Sequence, residues 1–461
     1  MIDRQKGLHK NRLLYWVVLS LIFVLPLTWR NSFASTFGQL LGYITIIVII
    51  VAGLSKHELK LSTSVAFLFG IAFFWIIISI IDSIRFYAEY GTLSGEDTFT
   101  APLGSIYYHL YYISVFSAYI ALVRNGSGIE PTLKKAFNTI VWIQLISGFV
   151  QLLIVLGLPG ISEIYDGINF LEMLPTASFI RGMSRITMTG SEPASMGASL
   201  GMLSFPYLFA VMQGTESAKE KTTCGIKLSL LIVLSYFSKS TTVFAIMAFS
   251  AAIYVLWSSR EGKLSKQNVV IGLLIIIAIS LLLVLSSFGG MVHIGGDIIE
   301  ELRYYLLVKP TDTANMSTMH RLSPTVNDIA IIKEHPLLGV GDGNQGFTYG
   351  KNVPSYMLIN PKSMDFAKGI GGVVNGGAWF WAILSGYGII GVIPLLIWYY
   401  NVYRPRVRLL KASNLFLYRI FIYALPAIIL TLLTGAMEPT IVFILSFPFW
   451  EITDSEQELK Y

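Results

Sequence analysis

The feature that most constrains this chain is a series of apolar runs, each about twenty residues long. Two clear examples are residues 62–81 and 269–288. A run of about twenty apolar residues is the length that an α-helix needs to cross the ~30 Å hydrocarbon core of a bilayer. Hydrophobic residues make up 54% of the chain and charged residues only 13%, which is too little polar surface for a soluble domain. The pattern therefore predicts a polytopic α-helical membrane protein.

Hydropathy predicts about twelve spans, which would form an all-α transmembrane bundle and a single integral-membrane domain over residues 1–461. The first run follows basic residues but is long and lacks a small-residue cleavage site, so it is expected to be a retained helix. The predicted spans are 13–29, 37–54, 62–81, 104–123, 137–158, 194–213, 226–237, 240–257, 269–288, 379–400, 416–434 and 438–450.

The distribution of basic residues predicts the orientation of these spans. Lys and Arg are concentrated in alternate connections, and short cytoplasmic loops are the ones enriched in these residues. The N-terminus is therefore expected in the cytoplasm. The basic residues that support this orientation are Lys56, Lys60, Arg124, Lys134, Lys135, Lys219, Lys221, Arg260, Lys263, Lys266, Arg404, Arg406, Arg408 and Lys411.

The stretch 225–257 has basic residues on both flanks, which requires an even number of crossings. It is interrupted by the polar sequence Phe237-Ser-Lys-Ser-Thr-Thr242. We therefore predict a helical hairpin or broken helix that enters from the outer face, with Lys239 at its tip.

Two outward-facing connections are too long to be simple turns. The first covers 159–193, and the second, between the ninth and tenth spans, covers 289–378. The second carries a helical pattern at 297–308 and an amphipathic stretch that ends at Lys333. Loops of this size usually carry function.

Several classes of protein are excluded or disfavoured by what the chain contains. The single cysteine, Cys224, cannot form an intrachain disulfide. The net charge is +6, but the Lys and Arg residues lie in short segments between the apolar runs. They do not form a basic patch interleaved with aromatic residues, so no nucleic-acid partner is expected. The glycines of the large loop do not match a phosphate-cradling motif, and no histidine has a partner at metal-ligand spacing. We expect no metal and no cofactor.

The first outer loop ends with three charged residues that could carry chemistry. Arg181 and Arg185 are four positions apart, so on a helix they would share one face, and two guanidinium groups suit a phosphate or pyrophosphate. Anchoring at lipid headgroups explains the same pair equally well. Glu192 could contact an arginine or a reacting hydroxyl, or it could simply begin a helix together with Pro193.

The remaining candidates lie at the helix break and in the large loop. Lys239 would be costly at the bilayer centre, so it either lines a polar cavity or extends to the interface. His320 and Arg321 precede the amphipathic stretch, and Asp342 lies in a glycine-rich turn that follows His335. A loop histidine is more often a polar surface residue than an acid–base group.

Three short stretches resemble the O-antigen polymerase and O-antigen ligase superfamily of bacterial membrane glycosyltransferases. They are the Arg-rich segment that leads to Ser191-Glu192-Pro193, the break Phe237-Ser-Lys-Ser-Thr241, and Arg321 followed by His335-Pro-Leu-Leu-Gly-Val-Gly341 with the loop exit Gly386-Tyr-Gly-Ile-Ile-Gly391. The ligase branch typically carries a histidine shortly before its exit glycines, where this chain has Asn375-Gly-Gly-Ala378. The resemblance therefore favours a polymerase over a ligase.

The resemblance implies a metal-independent glycosyltransferase of the bacterial inner membrane. Its substrate would be an oligosaccharide repeat unit on undecaprenyl pyrophosphate, polymerised at the outer face into O-antigen or a related polysaccharide. A chain-length regulator and a flippase would be partners, beside membrane lipid. Arg181, Arg185, Lys239 and Arg321 are then the expected pyrophosphate ligands, and Glu192, Arg321, Asp342 and His320 the candidate catalytic residues.

Two other functions stay open from the sequence. An O-antigen ligase-type transferase would share most of these features. A lipid-linked oligosaccharide flippase would also have about twelve spans, but it would normally place ionisable residues at the bilayer midplane rather than in outer loops. No general base is evident in the sequence.

Overall fold

The computed structural model of the chain describes residues 12–19, 21, 63–90, 100–123, 129–169, 175–190, 192–260, 316–367, 378–435 and 437–450. All regular secondary structure in these ranges is helical. After a helical segment at 12–19, the helices are α1 (Thr63–Tyr90), α2 (Thr100–Val123), α3 (Ile129–Val155), α4 (Ile161–Ile168), α5 (Ala177–Met183), α6 (Pro193–Gly214), α7 (Ala218–Tyr236), α8 (Thr241–Arg260), α9 (Met316–Glu334), α10 (Gly346–Asn352), α11 (Ser355–Leu358), α12 (Pro361–Ala367), α13 (Trp379–Ser413), α14 (Leu415–Thr434) and α15 (Pro439–Phe449).

Six of the described helices are long and apolar enough to cross a membrane. They are Val65–Phe86 within α1, α3, α6, Thr241–Ser258 within α8, α13 and α14. This confirms the all-α class for the described residues, and the six apolar helices indicate a membrane protein. The predicted spans 37–54 and 269–288, most of 13–29, and the predicted helix 297–308 lie outside the described residues.

The central helix of the bundle is α6, which is almost entirely buried. Two glycines, four positions apart, allow it to approach α8 and α14 closely. A Cβ atom at Gly197 would lie 2.9 Å from Cγ2 of Val243, and one at Gly201 would lie 2.3 Å from Cγ2 of Ile246. Small residues at this spacing let the backbones of membrane helices pack directly against each other. The approach brings the N-terminal ends of α6 and α8 together.

The predicted break in the stretch 225–257 is confirmed. Helix α7 ends at Tyr236, and α8 begins at Thr241 after a turn in which Lys239 has a positive φ of 48°. The α7 helix is longer than the predicted span 226–237, because it begins at Ala218. A main-chain hydrogen bond of 3.2 Å from Ile186 N–H to the Phe237 carbonyl joins this turn to the end of the first outer loop.

The described part of the large loop is mostly helical. The predicted amphipathic stretch forms α9, which ends at Glu334. The glycine-rich segment after it binds to α13 through four main-chain hydrogen bonds of 2.8–3.0 Å, in which Val340 and Gly341 donate to α13 and Ile389 and Ile390 donate to the segment. Two stretches that the sequence analysis grouped only by resemblance are thus in direct contact.

The contact between this segment and α13 depends on glycine. Gly388 interrupts α13 with φ 58° and ψ −167°, a conformation that other residues rarely adopt. A Cβ atom there would lie 2.4 Å from the carbonyl carbon of Leu337, and one at Gly339 would lie 2.3 Å from the Ser385 carbonyl oxygen. The backbones of the glycine-rich segment and α13 can therefore approach this closely only because Gly339 and Gly388 have no side chain.

Candidate functional site

The candidate site is centred on an ion pair between Arg321 of α9 and Glu192 at the start of α6. Nη2 of Arg321 lies 3.3 Å from Oε1 of Glu192, and Nη1 donates to Oγ1 of Thr242 at 3.4 Å. The side chains of Arg321 and Glu192 are 37% and 44% exposed. Three separate parts of the chain therefore present charged and polar groups in a place that a substrate can reach.

Glu192 begins α6 with a capping box, in which its side chain accepts from the Ser195 backbone N–H and its own N–H is bound by the Ser195 side chain. The Glu192 N–H donates to Oγ of Ser195 at 3.1 Å, and the Glu192 carbonyl accepts from Met196 N–H at 3.1 Å. Pro193 at the first helical position needs no hydrogen-bond acceptor. The two interpretations of Glu192 from the sequence are thus compatible, because its carboxylate both takes part in the cap of α6 and binds Arg321 through Oε1.

The segment before Glu192 is held rigidly by Gln151 of α3. Oε1 of Gln151 accepts from the backbone N–H groups of Thr187 and Met188, each at 2.8 Å. A Cβ atom at Gly190 would lie 2.5 Å from the Met196 nitrogen, so this turn also requires glycine. These contacts fix the direction in which the chain enters α6, and therefore the position of Glu192.

A second glutamate, Glu438, lies close to this pair and was missed by the sequence analysis. It begins α15 in extended conformation and is followed by Pro439, as Glu192 is followed by Pro193. Its Oε2 atom is buried and has no hydrogen-bond partner among the described residues. Burial and, to a smaller degree, the negative charge of Glu192 raise the pKa of the Glu438 carboxyl to about 8.

The turn that carries Glu438 is fixed from both sides. Tyr112 of α2 donates a hydrogen bond to the Met437 carbonyl, and Trp379 N–H at the start of α13 donates to the Gly435 carbonyl at 2.9 Å. A sequence signal for this residue existed, because Thr189-Gly-Ser-Glu192-Pro193 and Thr434-Gly-Ala-Met-Glu438-Pro439 share a pattern. We call Glu192, Thr242, Arg321 and Glu438 the Glu-Pro site.

A second polar cluster lies where the glycine-rich segment meets α2 and α13. Nε2 of His109 is 3.1 Å from Oδ2 of Asp342, and both side chains are buried. Oδ1 of Asp342 accepts from Gln345 Nε2 at 2.9 Å, and Oγ of Ser385 donates to Oδ1 of Asp328 at 2.8 Å. We call His109, Asp328, Asp342, Gln345 and Ser385 the buried polar network.

His109 was also missed by the sequence analysis, which considered only histidines in the large loop. Its ring contacts those of Trp75 and Tyr387, with centroids 5.1 Å and 5.9 Å away, and these two rings stack on each other at 4.7 Å. A histidine inside an apolar helix gives no signal in the sequence until its carboxylate partner is known, and Asp342 is more than two hundred residues away along the chain.

Two of the predicted pyrophosphate ligands do not share a helix face. Helix α5 ends at Met183, and Ser184 has a left-handed conformation, so Arg185 lies beyond the helix that carries Arg181. The expectation that both project from one face is therefore wrong. Nη2 of Arg181, an exposed residue, donates to Oγ of Ser162 at 2.5 Å.

Arg185 and Lys239 lie on adjoining segments, because the residue after Arg185 is the one hydrogen-bonded to Phe237. His320 is the neighbour of Arg321 on α9, but its side chain lies outside the described part of the structure. The described residues contain no group of three His, Cys, Asp or Glu side chains that could hold a metal ion.

No protein-family model matches the chain, and no curated protein sequence matches it. The site is therefore interpreted from its own geometry. It combines a partly exposed guanidinium, a carboxylate that holds it, and a second carboxyl without a hydrogen-bond partner among the described residues. These groups can bind an anion, orient a hydroxyl and exchange a proton.

Proposed function

We propose that this chain is a membrane glycosyltransferase that polymerises oligosaccharide repeat units carried on undecaprenyl pyrophosphate. The observation that carries the proposal is the Arg321–Glu192 pair, which is partly exposed and lies beside the buried carboxyl of Glu438. It agrees with the sequence resemblance to O-antigen polymerases, in which the same arginine and the same Glu-Pro sequence belong to the matching stretches.

The proposal places the Glu-Pro site at the outer face of the bacterial inner membrane. Glu192 lies at the N-terminal end of α6, whereas Lys219 and Lys221 follow its C-terminal end. Glu438 follows α14, at the opposite end of that helix from the basic stretch 404–411. Because basic ends are typical of the cytoplasmic side, both glutamates are assigned to the outer side. The full arrangement of about twelve spans with a cytoplasmic N-terminus belongs to this proposal.

Arg321 is the proposed ligand of the pyrophosphate. The two parallel N–H groups of a guanidinium can bind a phosphate through two hydrogen bonds, and this contact strengthens as the leaving group gains charge. In the absence of substrate, Glu192 holds the guanidinium in place at 3.3 Å. Arg185 and Lys239 are proposed as further cations for the lipid-linked substrate, since they are carried by segments that adjoin each other.

The test is the glycan ladder on the surface polysaccharide of cells that lack the gene, compared with cells in which the wild-type gene is restored. A polymerase predicts surface molecules with a single repeat unit in the deletion strain and a full ladder after restoration. Polymer that accumulates on undecaprenyl pyrophosphate without reaching its acceptor would instead identify a ligase-type transferase. Repeat units confined to the cytoplasmic face would identify a flippase.

A further inference from the structure

We propose that Glu438 is the general base of the transfer reaction and removes the proton from the acceptor sugar hydroxyl. This inference rests on the proposed function and supplies the group that the sequence analysis did not find. It assigns different tasks to the two glutamates of the Glu-Pro site, with Glu192 as the residue that positions Arg321.

Glu438 lies in a turn that is fixed close to Glu192. Its backbone is held by Tyr112 at the Met437 carbonyl and by Trp379 at the Gly435 carbonyl, and its carboxyl lies close enough to Glu192 to feel its charge. Oε2 is nevertheless buried without a hydrogen-bond partner among the described residues. A buried carboxyl oxygen without a partner costs free energy, and a hydroxyl from a substrate would remove that cost.

The hydroxyls around the two Glu-Pro turns show the same pattern. Oγ1 of Thr189, three residues before Glu192, and Oγ1 of Thr440, two residues after Glu438, are both buried without a partner among the described residues. A sugar hydroxyl that reached these turns would therefore meet hydrogen-bonding groups without a partner among the described residues.

The charges around Glu438 favour proton exchange near neutral pH. The helices that pack against α15 are α2, α6, α13 and α14, and α13 contacts its C-terminal end. Two titratable groups lie at the Glu438 turn: Glu192 of α6, and Tyr112 of α2, which donates to the Met437 carbonyl. His109 lies one turn before Tyr112 on α2, and Arg321 of α9 is connected to the turn through its ion pair with Glu192. A general base is most effective when its pKa is close to the working pH, and the Glu438 carboxyl, with a pKa of about 8, meets that condition.

The other carboxylates are less suited to this role. Glu192 already binds the Arg321 guanidinium, so taking up a proton there would weaken the ion pair. Asp342 accepts hydrogen bonds from Gln345 and the Gly343 backbone in addition to its contact with His109. Asp328 is fully buried and accepts from Ser385. Among the described carboxyls, Glu438 alone has a buried oxygen without a hydrogen-bond partner among the described residues.

The proposed step is balanced in atoms and electrons. The ionised Glu438 carboxylate takes the proton of the acceptor hydroxyl as the hydroxyl oxygen forms a bond to the anomeric carbon of the donor sugar. The bond between that carbon and the pyrophosphate oxygen breaks, and undecaprenyl pyrophosphate leaves with the electron pair while Arg321 neutralises its charge. Glu438 then returns its proton to solvent. No redox change occurs.

The test uses full-length protein in proteoliposomes that contain lipid-linked repeat units, with the initial rate of polymer formation measured over a pH series. The wild-type rate should rise as pH increases through the pKa of Glu438. Glu438→Gln should lower kcat by roughly 10²- to 10⁴-fold, with little change in KM, and should remove that rise. Glu438→Asp should keep part of the activity. Glu334→Gln, at an exposed ion pair with Lys351, is the matched control and should behave as wild type.

A second readout does not depend on activity. Infrared difference spectra of the wild type should show a protonated carboxyl that titrates near pH 8, and Glu438→Gln should lack this signal. Glu192→Gln should retain the signal at a lower pH, because a negative charge near Glu438 is removed. A wild-type rate and pH profile for Glu438→Gln would overturn the inference, as would the absence of the titrating carboxyl from the wild type. If the wild type makes no polymer, the proposed function itself fails. The two failures are therefore distinguishable.

Discussion

The Glu-Pro site and the buried polar network use similar residues in opposite ways. In the buried polar network, the Asp342 carboxylate contacts His109, Gln345 and the Gly343 backbone, and its side chain is shielded from solvent. In the Glu-Pro site, Arg321 and Glu192 are more than one-third exposed, and Glu438 has a buried oxygen without a partner in the described part of the chain. A network in which the polar groups hydrogen-bond to each other stabilises one structure, whereas polar groups without hydrogen-bond partners are available to a substrate. We therefore propose that the first cluster stabilises the fold and that the second carries out the chemistry.

The largest expected effect on architecture comes from Gly388→Ala. The new Cβ atom would meet Leu337 at 2.4 Å, and alanine would be strained at a φ of 58°. Strain and overpacking together should cost roughly 2–6 kcal/mol of the free energy of unfolding. Thermal unfolding in detergent measures this loss. Gly350→Ala is the matched control, since nothing lies within 4 Å of its added Cβ atom, and a wild-type midpoint for Gly388→Ala would show that the segment does not rely on this contact.

Asp342→Asn should separate stability from activity. The substitution keeps the shape of the side chain but removes the charge that faces His109, so the free energy of unfolding should fall by roughly 1–3 kcal/mol. The protein that stays folded should polymerise at a rate within a few-fold of wild type. Asp365→Asn on α12 serves as the control. A large loss of kcat without any loss of stability would instead indicate that Asp342 takes part in the reaction.

Arg181→Ala should have a small effect on the rate of polymer formation. Arg181 is exposed and its guanidinium contacts Ser162, so the rate should fall by less than about tenfold. Ser162→Ala removes the same hydrogen bond but keeps the charge, and so separates the two contributions. A loss comparable to that of an Arg321 variant, seen for Arg181→Ala alone, would place Arg181 at the pyrophosphate.

The helical fold was predictable because it follows from local pattern. The break at Phe237, the amphipathic helix α9 and the start of α6 at Glu192 were all found from periodicity, polar interruptions and the Glu-Pro sequence. Each of these features depends on neighbouring residues along the chain. The membrane environment makes the signal strong, because hydrophobic length alone marks a candidate span.

The parts of the site that were missed depend on distant contacts. Glu438 follows an apolar helix and gains its properties from burial and from Glu192, which is far away in sequence. His109 has no partner until α2 meets the glycine-rich segment. The opposite error occurred at Arg181 and Arg185, where spacing suggested a shared face, but Ser184 ends the helix between them. Spacing predicts a shared face only when the helix continues.

The most direct test of the account compares two ion pairs of equal length. Arg321 pairs with Glu192 at 3.3 Å in the Glu-Pro site, and Lys351 pairs with Glu334 at 3.3 Å on an exposed surface. In proteoliposomes that contain lipid-linked repeat units, Arg321→Ala should lower the rate of polymer formation by roughly 30- to 1,000-fold, because one charged contact to the leaving group is lost. Lys351→Ala should change the rate by less than about twofold. Equal rates for the two variants, with both proteins folded, would contradict the claim that the Arg321–Glu192 pair is the centre of the reaction.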